Sequence, residues 1–407
     1  MSSTLSASGA ANIGERASRL LMNTYARQPV TLVSGHGVWA RDSEGRELID
    51  MVAGIAVNVL GHAHPAVRRA LEEQSAQLIH TSNLYYTEPQ LELAELLIAS
   101  AFDSRVFFCN SGAEAIEGAI KLARKWGKLN RNGAHVIVCM EGAFHGRTLG
   151  ALAATANRRY QEPFRPLPSG FTHVPFNDVD AIAGAIDAST CAVLLEPIEG
   201  ESGVHPLDPG MLQQIRRVCD EHGVLLILDE VQSGMGRTGA WWAHQHDGVA
   251  PDIMTTAKGL GGGVPIGAIL AAPKADVFEP GDHGATFGGS PLACAVGSAV
   301  MRTIETEGLL EHTVTIGDYL AESIMSLAGE GAPVDHVRGR GLMLGVGLSE
   351  DNAPQVAAAA LGAGLIVNAV GARTLRLVPP LIISRDEVDE AMRRLRDAFA
   401  HVAEDRA

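Results

Sequence analysis

The sequence predicts an α/β protein whose larger part is built on a mostly parallel central sheet. Three observations carry this expectation. Strand and helix signals alternate through the middle of the chain. The strand candidates are near-continuous apolar runs, as expected when both faces of a sheet are covered. After a long helix from about Pro291 to Leu327 the texture changes to short strands alternating with helices, which predicts a smaller α+β unit. In chain order, the strand candidates are Val106–Cys109, His135–Met140, Ala192–Glu196, Val224–Asp229, Asp252–Thr256 and Ile266–Ala271. Helices are expected at Ala113–Leu129 and at Pro209–His222, the second opening on a Pro-Gly turn and closing near Gly223. One long helix is expected from about Pro291 to Leu327. Short strands at Leu342–Gly347, Leu365–Asn368 and Thr374–Val378 then alternate with helices near Pro354–Gly362 and Arg385–His401. No internal repeat or low-complexity linker interrupts this order.

The chain has 407 residues, 46% hydrophobic and 19% charged, which is globular composition with room for two or three structural units. The longest apolar stretch, Val264–Pro273, is broken by glycine and proline and falls short of the roughly 18 residues that span a bilayer. A net charge of −15 without a basic tract argues against nucleic acid or an anionic membrane as partner. Met1–Asn12 is small and polar, lacks an apolar core, and is expected to be a frayed tail rather than a secretory signal. The cysteines, Cys109, Cys139, Cys191, Cys219 and Cys294, are odd in number and form no C-x-x-C pair. They read as buried, reduced thiols of a cytoplasmic protein. Lysine is scarce. Lys121, Lys125 and Lys128 share one helix face and read as solvated surface. Lys258 instead follows an apolar segment and leads into Gly259-Leu260-Gly261-Gly262-Gly263.

Parallel sheets place chemistry at the carboxyl ends of their strands, and three such ends carry unusual residues. Asn110-Ser111-Gly112-Ala113-Glu114 stands between a strand and a helix. Free N–H groups there, with the serine hydroxyl, suit a phosphate; a plain N-cap with Glu114 in the first turn is the alternative. Asp229-Glu230 ends a fully apolar strand. Asp229 suits a metal or a cationic ring nitrogen, and a helix cap or internal ion pair is the alternative. In Thr255-Thr256-Ala257-Lys258-Gly259, an apolar setting would depress the lysine's pKa and make it an amine nucleophile; a snorkelling surface lysine is the alternative. Together they give a phosphate cradle, a ring-nitrogen acid and a Schiff-base lysine, the set that pyridoxal 5′-phosphate (PLP) requires.

Gly234-Met235-Gly236-Arg237-Thr238-Gly239 fits G-x-G-x-x-G. It lies deep in the chain and runs into Trp241-Trp242 instead of opening a helix, so a dinucleotide site is not expected. His62-Ala63-His64 and His244-Gln245-His246 have no Cys or carboxylate partner at ligand spacing and read as structural histidines, and no metal is expected.

From about Asn23 to the C-terminus the sequence resembles the class III (ornithine-type, subgroup II) aminotransferases of PLP fold type I. The most specific segments are Leu228-Asp229-Glu230-Val231-Gln232-Ser233-Gly234 and Ala257-Lys258-Gly259-Leu260. Within the family, Gly54–Pro65, His80–Pro89 and Phe107–Glu114 look most like the branch that acts on acetylornithine. The resemblance implies that Lys258 carries the cofactor and shuttles a proton, and that Asp229 keeps the pyridine nitrogen protonated. Gln232 would reach the phenolic oxygen, Val231 and Phe144 would pack on the two ring faces, and Ser111, Gly112 and Ala113 would hold the phosphate. It assigns Thr286 to the phosphate of a neighbouring subunit's cofactor, making the active unit a homodimer. Arg147 and Arg376 become the carboxylate binders, with Glu201 as the partner of Arg376. Taken alone, Phe144 reads as a core aromatic and the two arginines as surface charges.

The implied reaction takes the δ-amino group of N2-acetyl-L-ornithine and passes it to 2-oxoglutarate, giving glutamate, a step of arginine biosynthesis. Other ω-amino donors, an aminomutase on the same fold, and a non-catalytic PLP binder are the rival readings. The family often has Asn where this chain has Ile116 and Ser290, and commonly Gln where it has Glu199. The expected division is an N-terminal segment 1–62 contributing to a small domain, a large PLP-binding domain 63–292, and a C-terminal part of the small domain 293–407.

Overall fold

Strands whose alternate residues are both apolar can be covered on both faces, and this is how the central sheet is built. The structure, a computed structural model, describes residues 8–405. Seven strands form the sheet: β1 (Arg105–Cys109), β2 (Val136–Met140), β3 (Phe171–Val174), β4 (Thr190–Leu195), β5 (Leu225–Asp229), β6 (Ile253–Thr256) and β7 (Gly267–Ala271), in the spatial order β1-β7-β6-β5-β4-β2-β3. The pairs β3–β2, β2–β4, β4–β5 and β5–β6 are parallel. β7 alone runs against both neighbours, β6 and β1.

Ile137, Cys139, Ala192, Leu194, Leu225 and Ile227 face one layer, which includes helix α1 (Gly112–Asn130) through Ile116, Ile120 and Ala123. The intervening residues Val138, Met140, Val193, Leu195, Leu226 and Leu228 face the opposite layer, which includes helix α2 (Met211–His222) through Leu212, Ile215 and Cys219. The period of two thus explains why these strands read as continuous apolar runs. Ile116 is fully buried in the first layer and serves packing. All five cysteines are buried and free.

Three sequence expectations need correction. The long helix is two, α3 (Pro291–Thr306) and α4 (Leu309–Gly329), because Gly308 takes φ 64 and turns the chain between them. The stretch Leu365–Asn368 is shared between two sheets. Leu365–Ile366 pairs in parallel with Glu47–Asp50, while Asn368–Val370 belongs to the C-terminal sheet. The expected frayed tail lies outside the described residues over 1–7, and Ser8–Leu20 is helical.

The N-terminal sheet consists of Leu32–His36, Trp39–Asp42 and Glu47–Asp50 joined by Leu365–Ile366, so both ends of the chain contribute to it. The C-terminal sheet contains β8 (Val334–Arg340), β9 (Met343–Leu348), β10 (Asn368–Val370) and β11 (Thr374–Leu377) in the order β8-β9-β11-β10, all antiparallel. Helix α5 (Arg385–Glu404) starts with a capping box between Ser384 and Glu387, worth about 1 kcal/mol, and buries Val388, Leu395 and Phe399. Among the described residues, no helix is long and apolar enough to cross a membrane.

Candidate active site

The loops that follow the carboxyl ends of β1, β2, β4, β5 and β6 converge on a cavity of about 410 Å³. Ser111, Gly112, Ala113, Phe144, Arg147, Asp229, Val231, Gln232 and Lys258 all line it. Glu201, Arg376 and Thr286 do not.

At the mouth of α1, Ser111 is the N-cap, and its hydroxyl accepts from the N–H of Glu114 at 3.2 Å. The first backbone bond of the helix runs from Ala115 to Ser111. The N–H groups of Gly112 and Ala113 therefore have no acceptor within the helix. Glu114 turns back to accept from the backbone and side chain of Asn110 at 2.7 and 2.8 Å. The capping and anion-site readings thus describe one structure. A Cβ on Gly112 would stand 2.8 Å from the Val231 side chain, so glycine is what lets the helix end approach the cavity wall.

The acidic pair after β5 divides its work. Glu230 is fully buried and tied internally, accepting from Ser233 Oγ, from the N–H groups of Ala243 and His244, and lying 3.0 Å from His244 Nδ1. Asp229 faces the cavity. Its Oδ1 accepts from the Val231 N–H and Thr255 Oγ1, and its Oδ2 lies 2.8 Å from Nδ1 of His145. Because a carboxylate only accepts, Nδ1 carries the proton in this pair. Nε2 of His145 is buried and has no hydrogen-bond partner among the described residues. Sequence reading passed over His145 although it sits between Phe144 and Arg147. A buried acid with no cation nearby in sequence was the signal that a distant donor must exist.

Lys258 follows β6 with φ 39, a strained backbone for a side-chain-bearing residue. Burial holds its amine below the ordinary lysine range, against the opposing pull of the Glu201 carboxylate. The snorkelling alternative therefore does not describe it.

Arg376, on β11, is 1% exposed and stands behind Gln232. It donates to Glu201 Oε1 at 2.5 Å, to the Gly200 carbonyl and Gln232 Oε1 at 3.3 Å each, and twice to Asn368 Oδ1. Burial works against the charge of Glu201, but Arg376 overrides it and keeps the carboxyl below the usual range. Arg147 is exposed at the cavity mouth. Its guanidinium lies 3.7 Å from the ring centre of Tyr160 and 5.3 Å from that of Phe144. Cation–π contact of this kind aims the group while leaving its donor edges free. Tyr160 lies outside every recognised motif and left no sequence signal.

Two further acids belong here: Glu196, which sequence reading passed over, and Glu199, which it named without assigning a role. Glu196, beside Asp229 on the adjoining strand end, is buried. Burial and then the Asp229 charge push its carboxyl up to about 8. Glu199 is 2% exposed, with Oε1 unpartnered and Oε2 accepting from Ser202 Oγ. Burial pushes it up to about 7.

Thr286 lies on an exposed loop outside the cavity. Asn83 Nδ2 fixes this loop through the carbonyls of Ala285 and Gly288, and Gln90 through that of Gly289. Leu84, Tyr86 and Phe287 are exposed around it by 84%, 94% and 64%.

The histidines set aside from the sequence have local partners. His62 pairs with Asp50, His64 caps the helix Pro65–Ser75, and His246 meets Thr238. The G-x-G-x-x-G segment runs through turns, and its Arg237 is fully buried, donating to the carbonyls of Leu342 and Pro379.

A helix end with free N–H groups, a buried carboxylate, a half-buried lysine and an apolar wall of Val231 and Phe144 fit a flat, phosphate-bearing aromatic aldehyde. Comparison with known proteins agrees. The family model described as "Aminotransferase class-III" matches residues 22–399. An acetylornithine aminotransferase of Methanopyrus kandleri is 54% identical over 93% of this chain and 96% of its own. The crystal structure of N-acetylornithine aminotransferase from Stenotrophomonas maltophilia superposes with a TM-score of 0.83 at 40% identity, covering 96% of this chain and 99% of that one. An ornithine aminotransferase from Toxoplasma gondii, described with partial occupancy of PLP at its active site, gives 0.94 at 31% identity, covering 99% of this chain and 96% of that one.

Proposed function

The chain belongs to the class-III aminotransferases, which are PLP-dependent transaminases, and from that premise we propose that it transfers the δ-amino group of N2-acetyl-L-ornithine to 2-oxoglutarate. The products are N-acetyl-L-glutamate 5-semialdehyde and L-glutamate, as in arginine biosynthesis. When bound, PLP supplies an aldehyde that exchanges with amines and a ring that takes up an electron pair. Ser111, Gly112 and Ala113, at the α1 end, would hold its phosphate, and Phe144, Val231 and Gln232 would line the space its ring takes. Asp229, oriented by His145, would keep a ring nitrogen protonated. Lys258, depressed by burial, would anchor the group, and its Nζ would move the proton to and from the substrate carbon.

The observation that carries the substrate reading is the pairing of Arg376 with Glu201 at 2.5 Å while, among the described residues, no carboxylate pairs with Arg147. Arg147 receives the carboxylate shared by both substrates. The second carboxylate of 2-oxoglutarate takes Arg376 from Glu201; with acetylornithine the internal pair stays closed. A buried cation left alone would be costly, so the removable partner serves both halves of the reaction.

The working unit is a homodimer in the cytoplasm. Thr286, on its clamped loop amid exposed Leu84, Tyr86 and Phe287, supports a contribution to the partner's phosphate. Within the described residues, the N-terminal segment up to 62 and the C-terminal part from 293 form one small domain beside the large domain 63–292, a division supported by the pairing of Leu365–Ile366 with Glu47–Asp50.

A panel of amine donors with 2-oxoglutarate as acceptor tests the substrate. N2-acetylornithine should give the highest kcat/KM. Preference for ornithine or 4-aminobutyrate by about tenfold, some 1.4 kcal/mol of transition-state binding, would sink the reading.

A further inference from the structure

Glu196 stands where β4 ends, one position beyond the Leu195–Leu228 register pair and so alongside Asp229. Its side chain lines the cavity and makes two bonds to backbone that are far apart in function. Oε2 accepts from the N–H of Phe144 at 2.9 Å, and Oε1 from the N–H of Gly200 at 3.4 Å. Each end leads to an arginine. The ring of Phe144 lies under Arg147 at 5.3 Å. The carbonyl of Gly200 accepts from Arg376 at 3.3 Å, and the next residue, Glu201, is the carboxylate partner of that arginine. The buried carboxyl group is therefore the short link between the two supports on which the arginines rest.

We propose that Glu196 is a specificity-determining positioning residue, a spacer that fixes the distance between Arg147 and Arg376 and so the length of dicarboxylate the site accepts. The inference rests on the substrate reading above, which gives the two arginines one ligand to share. Losing a bond to a buried acid leaves a backbone N–H without a partner, and the loop that carries it relaxes. With Glu196→Ala, both supports come free of each other while the arginines themselves remain.

Calorimetric titration of the PLP-loaded enzyme with glutarate and with adipate, which differ by one methylene and cannot react, reads the spacing without turnover. The wild-type enzyme should discriminate between them, and Glu196→Ala should shrink that ratio by about tenfold. Glu196→Gln, whose amide oxygen can still accept from Phe144, should keep most of it. Amide hydrogen exchange over 199–202 should quicken in Glu196→Ala in the absence of any ligand. Equal weakening of both diacids, with their ratio intact, would overturn the proposal, as would unchanged exchange at Gly200. A wild-type enzyme that bound neither diacid would count against the substrate reading, and faster exchange in the variant would still uphold the link itself.

Discussion

Glu199 illustrates what one residue contributes when burial outweighs pairing. Its carboxyl is pushed up to about 7 from an ordinary 4.5, with Ser202 as its one hydrogen-bond donor among the described residues. The folded state then holds a proton that the unfolded chain has released. Stability from this group is full below pH 4.5, falls as pH rises toward 7, and stays low above it, a loss of about 3 kcal/mol. Glu199→Gln removes the charge but keeps the shape. It should raise the denaturation midpoint at pH 8, leave it nearly unchanged at pH 4.5, and flatten the fall between. Glu196, raised in the same direction, leaves part of the slope in place. An equal effect of the substitution at both pH values would remove titration as the cause. Glu201→Ala should leave Arg376 open. The half-reaction with glutamate should then quicken relative to that with acetylornithine, followed by single-turnover absorbance. A parallel slowing of both would make Glu201 structural. Asp229 and Lys258 were legible as residues because each sits at a strand end with a type that costs free energy there, and Ser111 because it opens a helix at a strand end where free N–H groups gather. His145, Glu196 and Tyr160 were not, because what marks them is a partner distant in sequence: Asp229, the Phe144 amide and Arg147.

At the scale of elements, the sequence displays what is periodic and hides what is short. β2, β4, β5, β6 and β7 were legible from their apolar runs, and α1 and α2 from their apolar faces and end signals. β3 is four residues containing Thr and His at a sheet edge, and β8 reads Val-Asp-His-Val-Arg-Gly-Arg, so neither shows a strand pattern. The break between α3 and α4 was hidden because helical periodicity resumes immediately after Gly308. Nothing lies within 4 Å of where a Cβ on Gly308 would project, so Gly308→Ala meets only the strain of φ 64. That substitution should cost about 1 kcal/mol, visible as a lowered urea midpoint at unchanged kcat. A gain in stability would mean that the two helices can run on as one.

For the whole molecule, the arrangement of Lys258 in the cavity and Thr286 outside it sets a test by mixing subunits. Lys258→Ala removes the amine, and Thr286→Asp places a negative charge where a phosphate is expected. If sites are shared between subunits, a heterodimer of the two variants has one site with both residues intact and should recover activity toward half of the wild-type value. Heterodimers verified by mass that stay inactive would confine each site to one chain. The direction of β7 has a wider consequence. A parallel successor to β6 would need a crossover to return to the other end of the sheet. Because β7 is reversed, residues 257–266 stay at the carboxyl edge and form the cavity wall twice, first as Ala257-Lys258 and again as Gly263–Ile266. The nucleophile and a second part of the cavity wall are therefore carried on one loop. A change of length in that short loop therefore bears on the reactive amine and on the pocket wall at once, a constraint that the loops after the other strands do not carry.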